Sequence, residues 1–295
     1  MSTTVPHNTL FSVNGLTFPA LVAGPADGPV VLCLHGFPDT RHGFFPSSGP
    51  STGALLAAAG FRVVAPAMRG SEPECIAPDG DYTPDALARD VIGLVDALGG
   101  RAALLGNDWG ALATYLAAAR APTKITHAIT LGIPHLRAVT WSPRLLWAAR
   151  HMVAFQLPGY AEKVIRKNDL AKLDDLYTRW SPAWRRPADA LTEVKNAYRK
   201  PGVLAAALGP YAALRSHLGG IMRELKRPIE VPTLALYGAA DPSVPAVFYE
   251  LAARHFAGTY RSHALANIGH FVHREDPGGV ATRTIDFIAS TRGIC

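Results

Sequence analysis

Apolar and polar positions along this chain predict its elements one after another. Residues 10–13 and 16–23 are short strand-like runs on either side of Asn14-Gly15, and an Asn-Gly pair between two such runs is a strong hairpin signal. Residues 30–34 (Val-Val-Leu-Cys-Leu) are apolar without a break, the pattern of a strand buried on both faces. Helical and strand patterns then alternate. Residues 52–60 predict a helix closed by glycine, 62–67 a strand, and 83–98 a longer helix with Pro84 in its first turn. A strand at 102–105, an alanine-rich helix at 110–120 and a strand at 125–131 follow. This β-α-β-α order argues for a doubly wound, mostly parallel sheet with right-handed crossovers.

The alternation breaks after Leu131. From Pro134 to about Leu225 the pattern is helical, with no convincing buried strand, and four of the five tryptophans (Trp141, Trp147, Trp180, Trp184) fall there. Strand patterns return at 233–237 and 260–265, with a helix between them and a last helix at 278–290. The expectation is one α/β domain, residues 1–133 and 228–295, interrupted after its sixth strand by a helical insertion at 134–227.

Composition narrows the class. Hydrophobic residues make up 48 % and charged residues 18 % of 295, an ordinary globular balance. No apolar stretch approaches the roughly 20 residues a membrane span needs. The first residues lack a basic segment followed by an apolar core, so no signal peptide is expected. The three cysteines are odd in number and lack metal-ligand spacing, which fits a reduced, cytoplasmic protein without a metal centre. The net charge of +6 is unevenly placed: residues 135–227 carry 17 Lys+Arg against 7 Asp+Glu, and the remainder 12 against 16. A basic solvated surface on the insertion explains this without a nucleic-acid partner, for which no motif is present. The oligomeric state stays open at this level, a homodimer among the options.

The sharpest chemical signal is Gly106-Asn107-Asp108-Trp109-Gly110, placed where a strand ends and a helix begins. That is the strand-turn-helix setting of a nucleophile elbow, with Asp where serine often stands. Aspartate also caps helices, but the glycines on both sides and two further motifs argue for the nucleophile. His35-Gly36-Phe37-Pro38 follows the strand at 30–34, where such architectures draw one backbone N–H of an oxyanion hole. The residue after the nucleophile supplies the other, which nominates Phe37 and Trp109. Asn267-Ile268-Gly269-His270-Phe271 follows the last strand, so His270 can reach back over the sheet edge; His263 and His273 are rivals. An imidazole in that role needs an acid to fix its tautomer. Asp241, after the strand at 233–237, is the candidate, because the loop after residue 131 (Gly-Ile-Pro-His) holds no carboxylate.

Through these motifs the chain resembles the α/β-hydrolase superfamily, and within it the epoxide hydrolases. The likeness runs through H-G-F-P, A-M-R-G at 67–70, G-N-D-W-G, G-A-A-D-P and G-H-F-x-x-x-E-D-P, nearly the whole chain. The resemblance implies that Asp108 attacks an apolar epoxide, that His270 with Asp241 activates water, and that no cofactor takes part. It also implies two hydrogen-bond donors from a helical cap. Tyr211 is one; Tyr160, Tyr177 and Tyr198 remain rivals. The second position, usually tyrosine, falls on His151, a departure shared with a subset of the family. His35, Pro38, Trp147 and Phe155 are expected to border the substrate. Two other readings stay open: a haloalkane dehalogenase, which shares the D-W-G triplet but carries Asn where Phe37 stands, and a non-catalytic ligand-binding member.

Overall fold

In the computed structural model, which describes residues 4–140, 150–157 and 159–291, Asn14 and Gly15 both take positive φ (50° and 77°). That is the conformation a tight two-residue hairpin asks for. It pairs β1 (His7–Val13) with β2 (Leu16–Ala23) antiparallel, from His7 opposite Val22 to Val13 opposite Leu16. β2 in turn runs antiparallel to β4 (Arg62–Pro66). The remaining strands, β3 (Val30–Leu34), β5 (Ala102–Asn107), β6 (Ile125–Leu131), β7 (Thr233–Gly238) and β8 (Tyr260–Leu265), are parallel to β4. The order across the eight strands is β1-β2-β4-β3-β5-β6-β7-β8.

Side-chain alternation divides the core between the two faces of this sheet. Leu32 and Leu34 of β3 join Leu104 of β5 on the face packed by α2 (Pro84–Ala97) and α3 (Trp109–Arg120). Val31 and Cys33 join Ala103 and Leu105 on the other, under α1 (Thr52–Ala58) and the helix Pro277–Thr291. A strand buried on both sides has no polar face to show, which is why 30–34 reads as unbroken apolar sequence. Ser51 and Thr83 cap α1 and α2 through hydroxyl oxygens that accept from Ala54 and Ala86 N–H (3.0 and 3.1 Å). β5 outruns its expected end by two residues because Gly106 and Asn107 keep register with Thr130 and Leu131 of β6.

Between β6 and β7 the chain forms the helices Arg150–Phe155, Tyr160–Trp180, Thr192–Arg199, Val203–Ala207 and Gly209–Glu224, and no strand among the described residues. Tyr160–Trp180 is interrupted at Lys167–Leu170, where Asn168, Asp169 and Leu170 take positive φ. This helical cap, inserted after the sixth strand, is tied to the sheet domain by ion pairs. Arg120 forks onto Glu224 (Nη2–Oε2 2.6 Å), and Lys200 pairs with Glu72. No described helix is long and apolar enough to cross a membrane. The C-terminal ends of the parallel strands open toward the cap, the edge where doubly wound sheets place their ligands.

Candidate active site

Asp108 sits at φ 53°, ψ −117°, in the turn between β5 and α3, and its side chain makes no capping bond to the helix it precedes. An L residue held at positive φ outside the left-handed helical well costs about 1–3 kcal/mol, so the turn is maintained by its surroundings. Those surroundings are backbone: a Cβ on Gly110 would stand 2.1 Å from Leu34 O, and one on Gly36 would stand 2.4 Å from both Cβ and Oδ1 of Asp108. The freed carboxylate is 13 % exposed and points at the loop after β3, where the Phe37 N–H donates to Oδ1 at 2.9 Å.

The other carboxylate oxygen faces histidine. His270 Nε2 lies 3.7 Å from Asp108 Oδ2, while its Nδ1 bonds Asp241 Oδ2 at 2.9 Å. The second oxygen of Asp241 accepts from Ser243 N–H at 2.7 Å and from the Ser243 hydroxyl, which fixes the carboxylate against the ring. Burial disfavours the charged imidazole, but Asp241 and Asp108 outweigh it and push the His270 pKa up to about 10. The two acids on either side of the ring thus favour its protonated form. Asn107 ties this arrangement down by donating to Leu131 O and His270 O, both at 3.2 Å.

Of the two rival histidines, His273 is buried but spends Nε2 on Asp39 Oδ2 at 2.9 Å, in a cluster completed by Arg274. His263 is exposed on β8. The loop after β6 brings Ile133 and Pro134 to the cavity wall and no acid, as its sequence indicates.

Above Asp108 and His270 lies a cavity of about 260 Å³, bordered by Trp109, Leu112, Trp180, Tyr211 and Leu214 among others. Tyr211 is 3 % exposed, with its ring edge-on to Trp109 (5.0 Å), Phe155 (5.2 Å) and Phe37 (5.6 Å). Burial and the Asp108 charge drive its phenol pKa well above the usual value, so the hydroxyl keeps its proton and can donate it. Tyr198 is equally buried and feels Asp108 too, but its hydroxyl reaches toward Asp39 O at 3.5 Å. Tyr177 stacks on Phe271, and Tyr160 is exposed. Trp109 opens α3 directly after Asp108. His151 belongs to helix Arg150–Phe155 by its backbone, and its side chain, like the whole of Trp147, lies outside the described residues.

Three of the residues expected at the substrate have packing roles in the structure. His35 spends its ring on the loop: its Nδ1–H donates to Gly36 O and its Nε2 accepts from Met68 N–H (both 3.0 Å), so the neutral ring braces that loop from beneath. Pro38 is buried behind a cis Phe37–Pro38 bond and shapes the same loop. Phe155 backs Phe37 and Tyr211, edge-on to both. Sequence reasoning in turn missed Trp180 as a wall residue and Ser243 as the support of Asp241. The Asp-Pro-Ser order was a usable signal for the latter, since Asp side chains readily bond the backbone two residues on.

A family model for the alpha/beta hydrolase fold matches residues 29–277. The chain is 30 % identical to AB hydrolase superfamily protein YfhM of Bacillus subtilis, over 94 % of this chain and 96 % of that one. It is 29 % identical to Epoxide hydrolase 4 of Mus musculus over 90 % of this chain and 74 % of that one. The crystal structure of Epoxide Hydrolase A from Mycobacterium thermoresistibile superposes with a TM-score of 0.83, covering 97 % of this chain and 98 % of that one at 24 % identity, and so shares its fold. An elbow aspartate, a histidine after the last strand and these likenesses converge: the chain belongs to the α/β-hydrolase family, as an epoxide-hydrolase-like member of it.

Proposed function

We propose that this protein hydrolyses an apolar epoxide to a vicinal diol through an ester on Asp108. One observation carries the reading: a carboxylate nucleophile faces a His-Asp pair on one side and a buried, protonated phenol on the other, across a single apolar cavity. Carboxylates displace well at saturated carbon and attack acyl groups poorly. Asp108 Oδ2 forms a bond to one epoxide carbon as the carbon–oxygen bond of the ring breaks, and the opening oxygen takes a proton from Tyr211. His151 is the second donor in this reading. Esterification removes the negative charge on Asp108 that helped hold the His270 proton. The ring can then pass that proton to the Tyr211 phenolate and become a base.

Water attacks the ester carbonyl carbon, giving a proton to His270 Nε2 while the carbonyl oxygen draws on the Phe37 and Trp109 N–H groups. Collapse breaks the bond between that carbon and the substrate oxygen, and His270 returns the proton to the departing alkoxide. The new carboxyl passes the second water proton to His270, which restores the imidazolium and the Asp108 carboxylate carrying one oxygen from water. Each donor at a developing oxyanion contributes on the order of 3 kcal/mol. The division into a sheet domain at 1–133 and 228–295 and a cap at 134–227 fits this chemistry, because the cap supplies the acid and the walls while the sheet supplies the triad.

A dehalogenase reading has one specific support. The Trp109 indole borders the cavity edge-on to Tyr211, within reach of its hydroxyl, and a leaving halide could take over that N–H. One assay separates the two. Single turnover in heavy-oxygen water with styrene oxide should put label into Asp108 and give diol, and D108A should give none. Bromide release from bromoalkanes with no diol from styrene oxide reverses the assignment, and normal diol formation by D108A removes the mechanism.

A further inference from the structure

The loop that carries His270 is held from the cap. The His270 N–H points between two acceptors at the end of cap helix Tyr160–Trp180: Trp180 O at 3.1 Å and Ser181 Oγ at 3.0 Å. The approach is close enough that a Cβ on Gly269 would stand 2.4 Å from Ser181 Cα. The Ser181 hydroxyl donates onward to Glu275 Oε1 at 2.5 Å. Glu275 also accepts from Phe271 N–H at Oε1 (3.0 Å) and from Gly269 N–H at Oε2 (2.8 Å). The amides of Gly269, His270 and Phe271 are thus satisfied by one cap serine, one cap carbonyl and one carboxylate. Trp180, the residue before Ser181, also borders the substrate cavity and sets its ring edge-on to His270 at 5.3 Å.

We infer that Ser181 and Glu275 are positioning residues for His270, through which the cap controls ester hydrolysis separately from ring opening. The inference rests on the proposed two-step reaction. Ring opening needs the Asp108 carboxylate and the donor hydroxyl, neither of which the clamp touches. Hydrolysis needs a water aligned between Nε2 and the ester carbonyl, so it depends on where the imidazole is held. A misplacement of about 1 Å in such geometry costs on the order of 10²-fold in rate. Ser181→Ala removes one acceptor and the link to the carboxylate. Glu275→Gln keeps the volume but turns an N–H₂ group toward amides that donate.

The test is a rapid-quench experiment on the full chain with styrene oxide, following the Asp108 adduct by intact mass, together with steady-state kinetics. In S181A and E275Q the adduct should form within about threefold of the wild-type rate and decay on the order of 10-fold to 10²-fold more slowly. Because kcat/KM reports the steps up to ring opening and kcat the slow decay, kcat and KM should fall together and leave kcat/KM near wild type. Wild-type decay in both variants overturns the inference. So does an equal loss in both half-reactions, which is what a merely loosened fold would produce. If wild-type protein forms no adduct under conditions where it makes diol, the two-step reaction itself fails and takes the inference with it.

Discussion

Replacing Tyr211 with phenylalanine isolates the step that most distinguishes an epoxide from other substrates. The ring is fixed by three aromatic neighbours, Trp109, Phe155 and Phe37, with centroids 5.0 to 5.6 Å away, and all three contacts survive loss of the hydroxyl. Stability should therefore change by no more than about 1 kcal/mol. Catalysis should change far more. An epoxide oxygen leaves as an alkoxide unless it is protonated, and the buried phenol is held in its protonated form by the Asp108 charge and by desolvation. Removing one such donor costs about 3 kcal/mol in the transition state, which at 1.36 kcal/mol per tenfold is roughly a 10²-fold loss in ring opening. Rapid-quench measurement of adduct formation on Asp108 with styrene oxide reads this directly. In Y211F the His270 proton has no phenolate to go to and must pass to the substrate alkoxide, so adduct decay is followed as a separate readout. A bromoalkane is an internal control, because bromide departs without a proton. The reasoning is refuted if Y211F forms adduct at the wild-type rate, or if Y198F reproduces the loss while Y211F does not.

Two further outcomes follow from buried charges. The His270 pKa is raised to about 10, so its pairing with Asp241 and Asp108 stabilises the fold fully below the unfolded-state value near 6.5 and is lost as pH rises through about 10. The thermal midpoint of the wild-type protein should accordingly fall relative to that of D241N between about pH 6.5 and 10; parallel curves would show that the pair is not ionised as described. Arg69 forks onto Asp90 through Nε and Nη2 (2.6 and 2.9 Å), with side chains 7 % and 5 % exposed. D90N leaves a buried guanidinium half-paired and should cost about 3–5 kcal/mol in chemical denaturation, while a loss under 1 kcal/mol would mean that water replaces the missing partner.

Where a local rule decides the outcome, the sequence was sufficient. The β1–β2 turn is written in Asn14-Gly15, and the doubly buried β3 in an unbroken apolar run, because backbone preference and burial on two faces both leave local marks. The elbow around Asp108 is legible for the same reason: glycine is needed wherever backbones approach too closely for a Cβ, as at Gly110 against Leu34 O. The spacing of Asp241 and His270 along a parallel sheet brings them to one edge, so their meeting at 2.9 Å was foreseeable from topology.

What only the tertiary structure decided are the contacts between segments with no fixed spacing. His35 stands in the right motif, yet its ring turns to brace Met68 and Gly36, since the side-chain direction depends on which loop packs beneath it. Phe155 packs edge-on against Phe37, a contact that only the folded cap brings about. Ser181 and Trp180 reach the His270 loop across 89 and 90 residues of sequence, a distance at which no periodicity carries information. Local chemistry thus singled out Asp108, His270 and Asp241, which the fold brings together. Packing of the cap against the sheet chose which tyrosine lies edge-on beside Trp109, which histidine is spent on Asp39, and what holds the catalytic loop in place.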